Sequence, residues 1–451
     1  MHALIAWIGA SWRAAMGWHN LSAQWQDAIL ILMSLSPVII GLAGSLLFYK
    51  PILAVRALIL GHPKFHVGFV LMLAVSVAIG VAVLSQERAI RSGTAQAAGP
   101  FDLILTAPGS AIDRLLSVVY LQPSDMPLLD AAAYFSVADH ARVDFAAPLA
   151  FGDSYANSPV VGTIEAFVNH LAQFAGDQTT AHRFLNITDA VIGARVPLSV
   201  GDNFSPSHGM VGDPTAVTHD ALVYTVAQKL PMTGSPWDRA ILVPIEGIWK
   251  VHALPTGHAP GTQQLGPPFD PLYFPGTPAI LVRANELWAN YALRSEFDGP
   301  EVMAFFPGAV LAQLHALVAD LRQVLSVMSW MTQILVLSGV LLSLSVLVRV
   351  ISRRLGVLIA MGASHRFVIA LVWTYAMVIV LTGVLIGVFF GFGLSALLSD
   401  QLTQMTDIRI SAALGPAEFL FVSAFLGVTA LLALLPAYWS VPRDVQKTLR
   451  M

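Results

Sequence analysis

The 451-residue chain contains no cysteine, which excludes a disulfide framework and any thiolate-held metal or cluster. Charge is scarce as well: Asp, Glu, Lys and Arg make up 11% of residues against 56% hydrophobic, where a soluble domain carries about 25% charged. That balance excludes an ordinary soluble protein and makes the lipid bilayer a principal partner. Only five lysines occur (Lys50, Lys64, Lys229, Lys250, Lys447), none in the glycine spacing of a phosphate-cradling loop. The chain therefore has no nucleotide site of its own. A GxSxG nucleophile elbow and an HExxH zinc motif are also missing, so no catalytic residues are expected, nor is a nucleic-acid partner.

What is present is a set of long apolar runs. Five exceed the roughly 18 residues a spanning helix needs: Ala28–Tyr49, Val67–Ser85, Met331–Val348, Phe367–Ser399 and Phe419–Pro442. In the third, 26 residues separate Arg322 from Arg349, about 39 Å of helix against a hydrocarbon core of about 30 Å. This helix is expected to cross the bilayer and to protrude on its incoming side. Between the second and third runs lie 243 residues, 86–328, while the other connections are short. One large aqueous domain is thus inserted there.

Lys and Arg in the short connections set the orientation. Segments 50–66 and 349–366 and the C-terminal tail hold ten, whereas 1–27 and 400–416 hold only Arg13 and Arg409. The ten are placed inside and the large domain, with 22 acidic and 12 basic residues, outside. The chain then divides into a hydrophobic N-terminal segment (1–50), an amphipathic helix and span (51–85), the outer domain with its stalk (86–328), and three spans (329–451) with a basic connector at 353–366. The run Ala28–Tyr49 follows a Trp-rich leader (Trp7, Trp12, Trp18, Trp25). It reads as an extra span, with a re-entrant or surface-lying segment as the alternative.

Within the outer domain, FDLILT, SPVVGT, DAVIGARV, ALVYTVAQKL, RAILVPI and PAILVRA have strand character, and SAIDRLLSVVYL and SDMPLLDAAAYF read as helices capped by Ser110 and Ser124. A mixed α/β domain is expected, with loops at 201–214 and 255–275. Leu311, Leu314, Val318, Leu321, Leu325 and Met328 form a heptad seam leading into the third span. Its partner would be SQERAIRSGTAQA, continuing the second span, so that the two make a stalk; an amphipathic helix lying on its own domain is the alternative. Ala74, Ala78 and Ala82 in the second span and Gly383, Gly387 and Gly391 in the fourth recur at i, i+4 spacing, which suits close helix contact in lipid. Eight of the 13 histidines lie in 86–328; His208 and His219 flank Asp213, and His252 and His258 follow Glu246. Imidazole beside carboxylate suits Zn²⁺, solvated loop histidines being the plainer reading.

Three stretches carry a family likeness. They are LAVRALILGHPKFHVGFVLMLAVSVAIGVAVL from Leu53, RRLGVLIAMGASHRFV from Arg353, and PAYWSVPRDVQKTLR from Pro436. In this order, around one large outer domain, they resemble the permeases of the MacB, LolE and FtsX superfamily over about residues 52–451. The resemblance implies an α-helical membrane protein of four family helices, here with an extra N-terminal one, and a large α/β extracytoplasmic domain between the first and second. It implies a homodimer in the bacterial inner membrane, the large domain in the periplasm, bound to ABC ATP-binding subunits that hold ATP-Mg, with a periplasmic adaptor or substrate-binding protein as a further partner. This chain would bind no cofactor itself, Zn²⁺ excepted. Arg353, Arg354, Gly362, Ala363, Ser364 and Arg366 would form the ATPase-coupling segment. ATPase motion would pass along the stalk and drive export or extraction at the outer face; the alternative is an FtsX-like regulator of a periplasmic partner such as a cell-wall hydrolase. Two positions depart from the pattern: Arg354 where relatives usually have Glu, and Ile359 where they often have Arg.

Overall fold

A computed structural model describes residues 21–440 apart from 62, 179–180, 209–216, 219–221, 317–330, 332–333, 335–336, 340, 343–344 and 347–353. In chain order the elements are α1 (Ala23–Phe48), α2 (Ile52–Gly61), α3 (Pro63–Ala97), β1 (Leu103–Thr106), α4 (Ala111–Val118), α5 (Ala131–Ala138), β2 (Val143–Tyr155), β3 (Ser158–Thr163), α6 (Glu165–Phe174) and β4 (Asp189–Ile192). Then follow β5 (Asn203–Phe204), β6 (Ser207–His208), β7 (Val217–Thr218), β8 (Tyr224–Lys229), β9 (Ile241–Pro244), α7 (Ile245–Val251), β10 (Ala279–Ala284), α8 (Ala289–Phe297), β11 (Met303–Phe305), α9 (His365–Thr406), α10 (Pro416–Leu432) and α11 (Leu434–Trp439). The chain separates into two compact units, one of Met1–Ala89, Arg322–Ser399 and Ala412–Met451, the other of Ile90–Leu321 and Asp400–Ser411.

In the first unit, four described helices are long and apolar enough to cross a membrane: α1, α3 from His66, α9, and the stretch Pro416–Trp439. The N-terminal run is one 26-residue helix despite Pro37. Proline cannot donate to the carbonyl four residues back, and in lipid that carbonyl has no water to turn to. Here the Ser36 hydroxyl donates to Met33 O at 2.7 Å instead. Helix α1 lies on α10 and α9: Gly427 lets the Ser34 carbonyl approach, Gly41 lies under the Trp373 ring, and the Trp373 indole donates to Ala430 O at 2.8 Å.

The glycine ladder of α9 meets α3. A Cβ on Gly383 would lie 2.7 Å from Leu73 Cβ, one on Gly387 2.7 Å from Ala74 O, and one on Gly391 2.7 Å from Ala78 O. Only hydrogen fits at these distances, so the two backbones touch and gain dispersion contacts in place of side-chain volume. Leu73, Val77 and Val81 of α3 and Met377 and Val380 of α9 are fully buried around this seam. At the end of the seam, the Arg88 guanidinium pairs with the buried Glu418 of α10 at 3.0 Å.

The second unit is built on an eleven-stranded mixed sheet in the order β11-β1-β10-β2-β3-β9-β4-β8-β5, with β6 paired to β2 and β7 to β6. Pairing is antiparallel except for β3 with β9 and β4 with β8. Strands β1, β4 and β9 are buried along their whole length, as the β-branched and leucine residues of β1 and β9 require. The aromatic core joins Trp237, Phe101 and Phe167, and Tyr134 stacks on Phe274 at 4.6 Å.

Two local expectations are corrected here. Ser124 does not cap a helix: residues 121–128 are irregular and the helix begins at Ala131. Asp130 caps it, its carboxylate accepting from Ala133 N at 2.8 Å, while the Leu129 amide is taken by Thr277 O across an isolated bridge. The expected loop at 201–214 contains β5 and β6. Ser110 does cap its helix, accepting from Asp113 N at 3.3 Å.

Residues Asp400–Ser411, the end of α9 and the start of its connection to α10, cluster with this unit. Asp407 accepts from Arg195 at 3.2 Å and faces Arg239 at 3.4 Å. Arg195 also donates to Thr403 O at 3.1 Å, and the Arg409 amide donates to Gly234 O at 3.0 Å.

Candidate functional site: the connector at 354–366

A helix covers residues 354–360. Leu355 is 1% exposed and joins the apolar core of the first unit, with Leu358 and Ile359 against its edge. The other face is open: Arg354, Val357, Ala360 and Met361 are exposed, Met361 at 78%. With i, i+3, i+7 spacing, 354, 357 and 361 share one stripe.

The Gly-Ala-Ser turn ends this helix and starts the next. Gly362 has φ +101. The Ala363 amide donates to Leu358 O and the Gly362 amide to Ile359 O, the 6→1 and 5→2 pair of a Schellman C-cap, which favours glycine at this position. Two residues on, the Ser364 hydroxyl accepts from Phe367 N at 3.2 Å and N-caps α9. Four residues join the two helices, and the second runs unbroken for 42 residues. His365 and Arg366 are exposed in its first turn. Arg353 lies outside the described residues; Arg354 lies near Gly61, at the end of α2.

The stalk residues are partly described. Leu311 is buried and Leu314 half-buried, while Val318, Leu321, Leu325 and Met328 lie outside the described residues. Their expected partner is the far end of α3, where the Thr94 hydroxyl meets His315 Nε2 at 3.3 Å.

The histidines suggested for metal are placed separately. His252 faces Asp153 at 3.4 Å, a contact that raises the imidazole pKa chiefly through the hydrogen bond to Asp153. His258 faces Glu246 at 3.5 Å, and burial lowers its pKa. Burial pushes Glu246 up to about 7, although Gly266 N donates to its Oε1 at 2.5 Å. Asp213 and His219 and the His208 side chain lie outside the described residues, and among the described residues no three His, Cys, Asp or Glu gather to hold an ion.

Residues 326–443 match the family model for the FtsX-like permease C-terminal domain. That match supports a permease of the type that MacB, LolE and FtsX share. The periplasmic region of MacB from Actinobacillus actinomycetemcomitans aligns at 9% identity and a TM-score of 0.29, covering 47% of this chain and 92% of that one; a likeness at that score does not establish a shared fold. No curated protein matches by sequence. Sequence reasoning passed over the apolar tips Val357 and Met361 of this site, hidden in a run of similar residues, and, away from the site, the Arg88–Glu418 pair, whose only sequence signal is charge beside an apolar run.

Proposed function

We propose that this chain is the permease subunit of an ABC-type machine, in which a separate ATPase seats on the stripe of Arg354, Val357 and Met361 beside Arg366. The observation that carries this reading is the exposed apolar tip on a helix otherwise anchored by Leu355. A methionine exposed at 78%, with the exposed Arg354 on the same stripe, suits a hydrophobic groove with an acidic rim on a soluble partner. The Schellman turn at Gly362 then transmits the push to α9, and work is delivered at the outer face of the bacterial inner membrane as export or extraction of a substrate. A second copy of the chain completes the complex.

The test is co-purification of the ATP-binding subunit with the intact protein, followed by ATPase stimulation. Met361→Asp and Gly362→Val are expected to reduce both by about tenfold or more, as loss of a central contact does. Capture of no ATPase by the unaltered chain, or full stimulation by both variants, would sink the reading.

A further inference from the structure

Three guanidinium groups described above have a carboxylate partner: Arg88 has Glu418, and Arg195 and Arg239 share Asp407. Arg114 of α4 differs. It is 8% exposed, and among the described residues no carboxylate pairs with it. Its Nη1 and Nη2 each reach a backbone carbonyl, Asp125 O and Pro108 O, at 3.4 Å, and its Nε is buried with no hydrogen-bond partner. Arginine does not neutralise by losing its proton, so the charge stays buried and under-satisfied. The group is held in place: it lies flat on Gly109, where a Cβ would come within 2.8 Å of Nη2.

Arg114 lines a polar cavity of about 380 Å³ with Ser110, Asp113, Ser117, Gln122, Ser124 and Asp125. Ser117 is 4% exposed and donates to Asp113 O at 2.9 Å, leaving its oxygen free to accept. The floor is thus a buried guanidinium and a buried hydroxyl; the rim is exposed hydroxyls, an amide and two carboxylates. The charge pattern selects the ligand. A planar fork of donors suits an oxyanion, but two carboxylates on the rim oppose a dianion such as phosphate and attract a cation.

We propose that this cavity binds a zwitterion that carries one carboxylate, a free amino acid or short peptide, with the carboxylate on Arg114 and the ammonium group at Asp113 and Asp125. The site does not depend on the reading of the connector, since no residue is shared. It adds a small polar ligand to a domain otherwise given only a mechanical part.

The experiment is calorimetric titration of the full chain in lipid nanodiscs with dialanine, its C-terminal amide, its N-acetyl form and inorganic phosphate. Dialanine is expected to saturate below about 10 mM. The amide is expected to bind at least about tenfold more weakly, as loss of a charge-assisted hydrogen bond does, and the N-acetyl form several-fold more weakly. Arg114→Lys keeps the charge and loses the fork, so it should weaken dialanine and leave thermal unfolding near that of the unaltered chain. Asp125→Asn, an exposed change that should not affect folding, should bring the N-acetyl form level with dialanine. No saturation by dialanine, equal binding of the amide, or phosphate binding as tightly as dialanine overturns the proposal.

Discussion

Glu246 offers a direct reading of what burial does to one proton. The side chain is 2% exposed, one oxygen accepts from Gly266 N, and the other is buried with no partner, as is His258 Nε2 beside it. Burial raises the carboxyl from 4.5 to about 7. A folded pKa above the unfolded one means the folded state holds the proton more tightly. The protonated form is therefore the stable one: stability is highest below about pH 4.5 and declines as pH rises to about 7, beyond which the loss is complete. At 1.36 kcal/mol per pH unit the span is at most about 3 kcal/mol, or about 6–12 °C in Tm for a domain of this size. Glu246→Gln keeps the acceptor for Gly266, adds a donor toward His258, and cannot ionise. The assay is thermal unfolding of both proteins in the same detergent from pH 5 to pH 8. We expect the two to agree near pH 5 and the glutamine variant to be the more stable at pH 8. A Tm difference that is constant across this range, or that grows toward acid, refutes the reasoning.

Three further outcomes test other parts of the structure. Gly387→Leu should push α9 off the Ala74 carbonyl and cost about 1–3 kcal/mol by overpacking, read as a lower Tm, whereas Gly393→Leu, with nothing within 4 Å, should change little. Arg88→Ala strands the buried Glu418. Breaking a fully buried pair costs about 3–5 kcal/mol, and because Arg88 retains 35% exposure we expect about 2–3 kcal/mol, largely recovered by adding Glu418→Leu. Asp407→Ala should loosen Asp400–Ser411 and raise hydrogen exchange at the Arg409 amide; unchanged exchange there would show that the two arginines do not hold the segment.

Some of this architecture is written in local patterns and some is not. ILVP and AILVRA are recognisable as strands because branched apolar residues are concentrated in them. The longest strand, VDFAAPLAFGDSY, is not: Pro148, Gly152 and three alanines give it neither alternation nor β-branched density, and its pairing with β3 and β10 makes it a strand. Ser124 carries the chemistry of a cap, as Asp130 does; the choice between them is made by Thr277, which is far away in sequence. The glycine spacing of α9 is visible in the sequence, but not which helix it faces. His252 and His258 stand out by type, yet the carboxylate of the first, Asp153, sits on a strand a hundred residues earlier. Nothing in SAIDRLLSVVYL marks Arg114 as buried, because burial is a property of the fold and not of the window. At the connector, Gly362 and Ser364 were legible, since a left-handed turn and a cap have residue signatures; the exposure of Met361 has none.

The segment Asp400–Ser411 sets an order of assembly. Arg195 and Arg239 leave the ribosome some two hundred residues before Asp407, which arrives only after the helix from His365 has been made. The outer unit therefore cannot finish folding from its own continuous stretch, and a soluble fragment cut at 90–321 would lack the carboxylate that its two arginines share. Expression of that fragment together with a peptide spanning 400–411 is the form in which the domain would be whole.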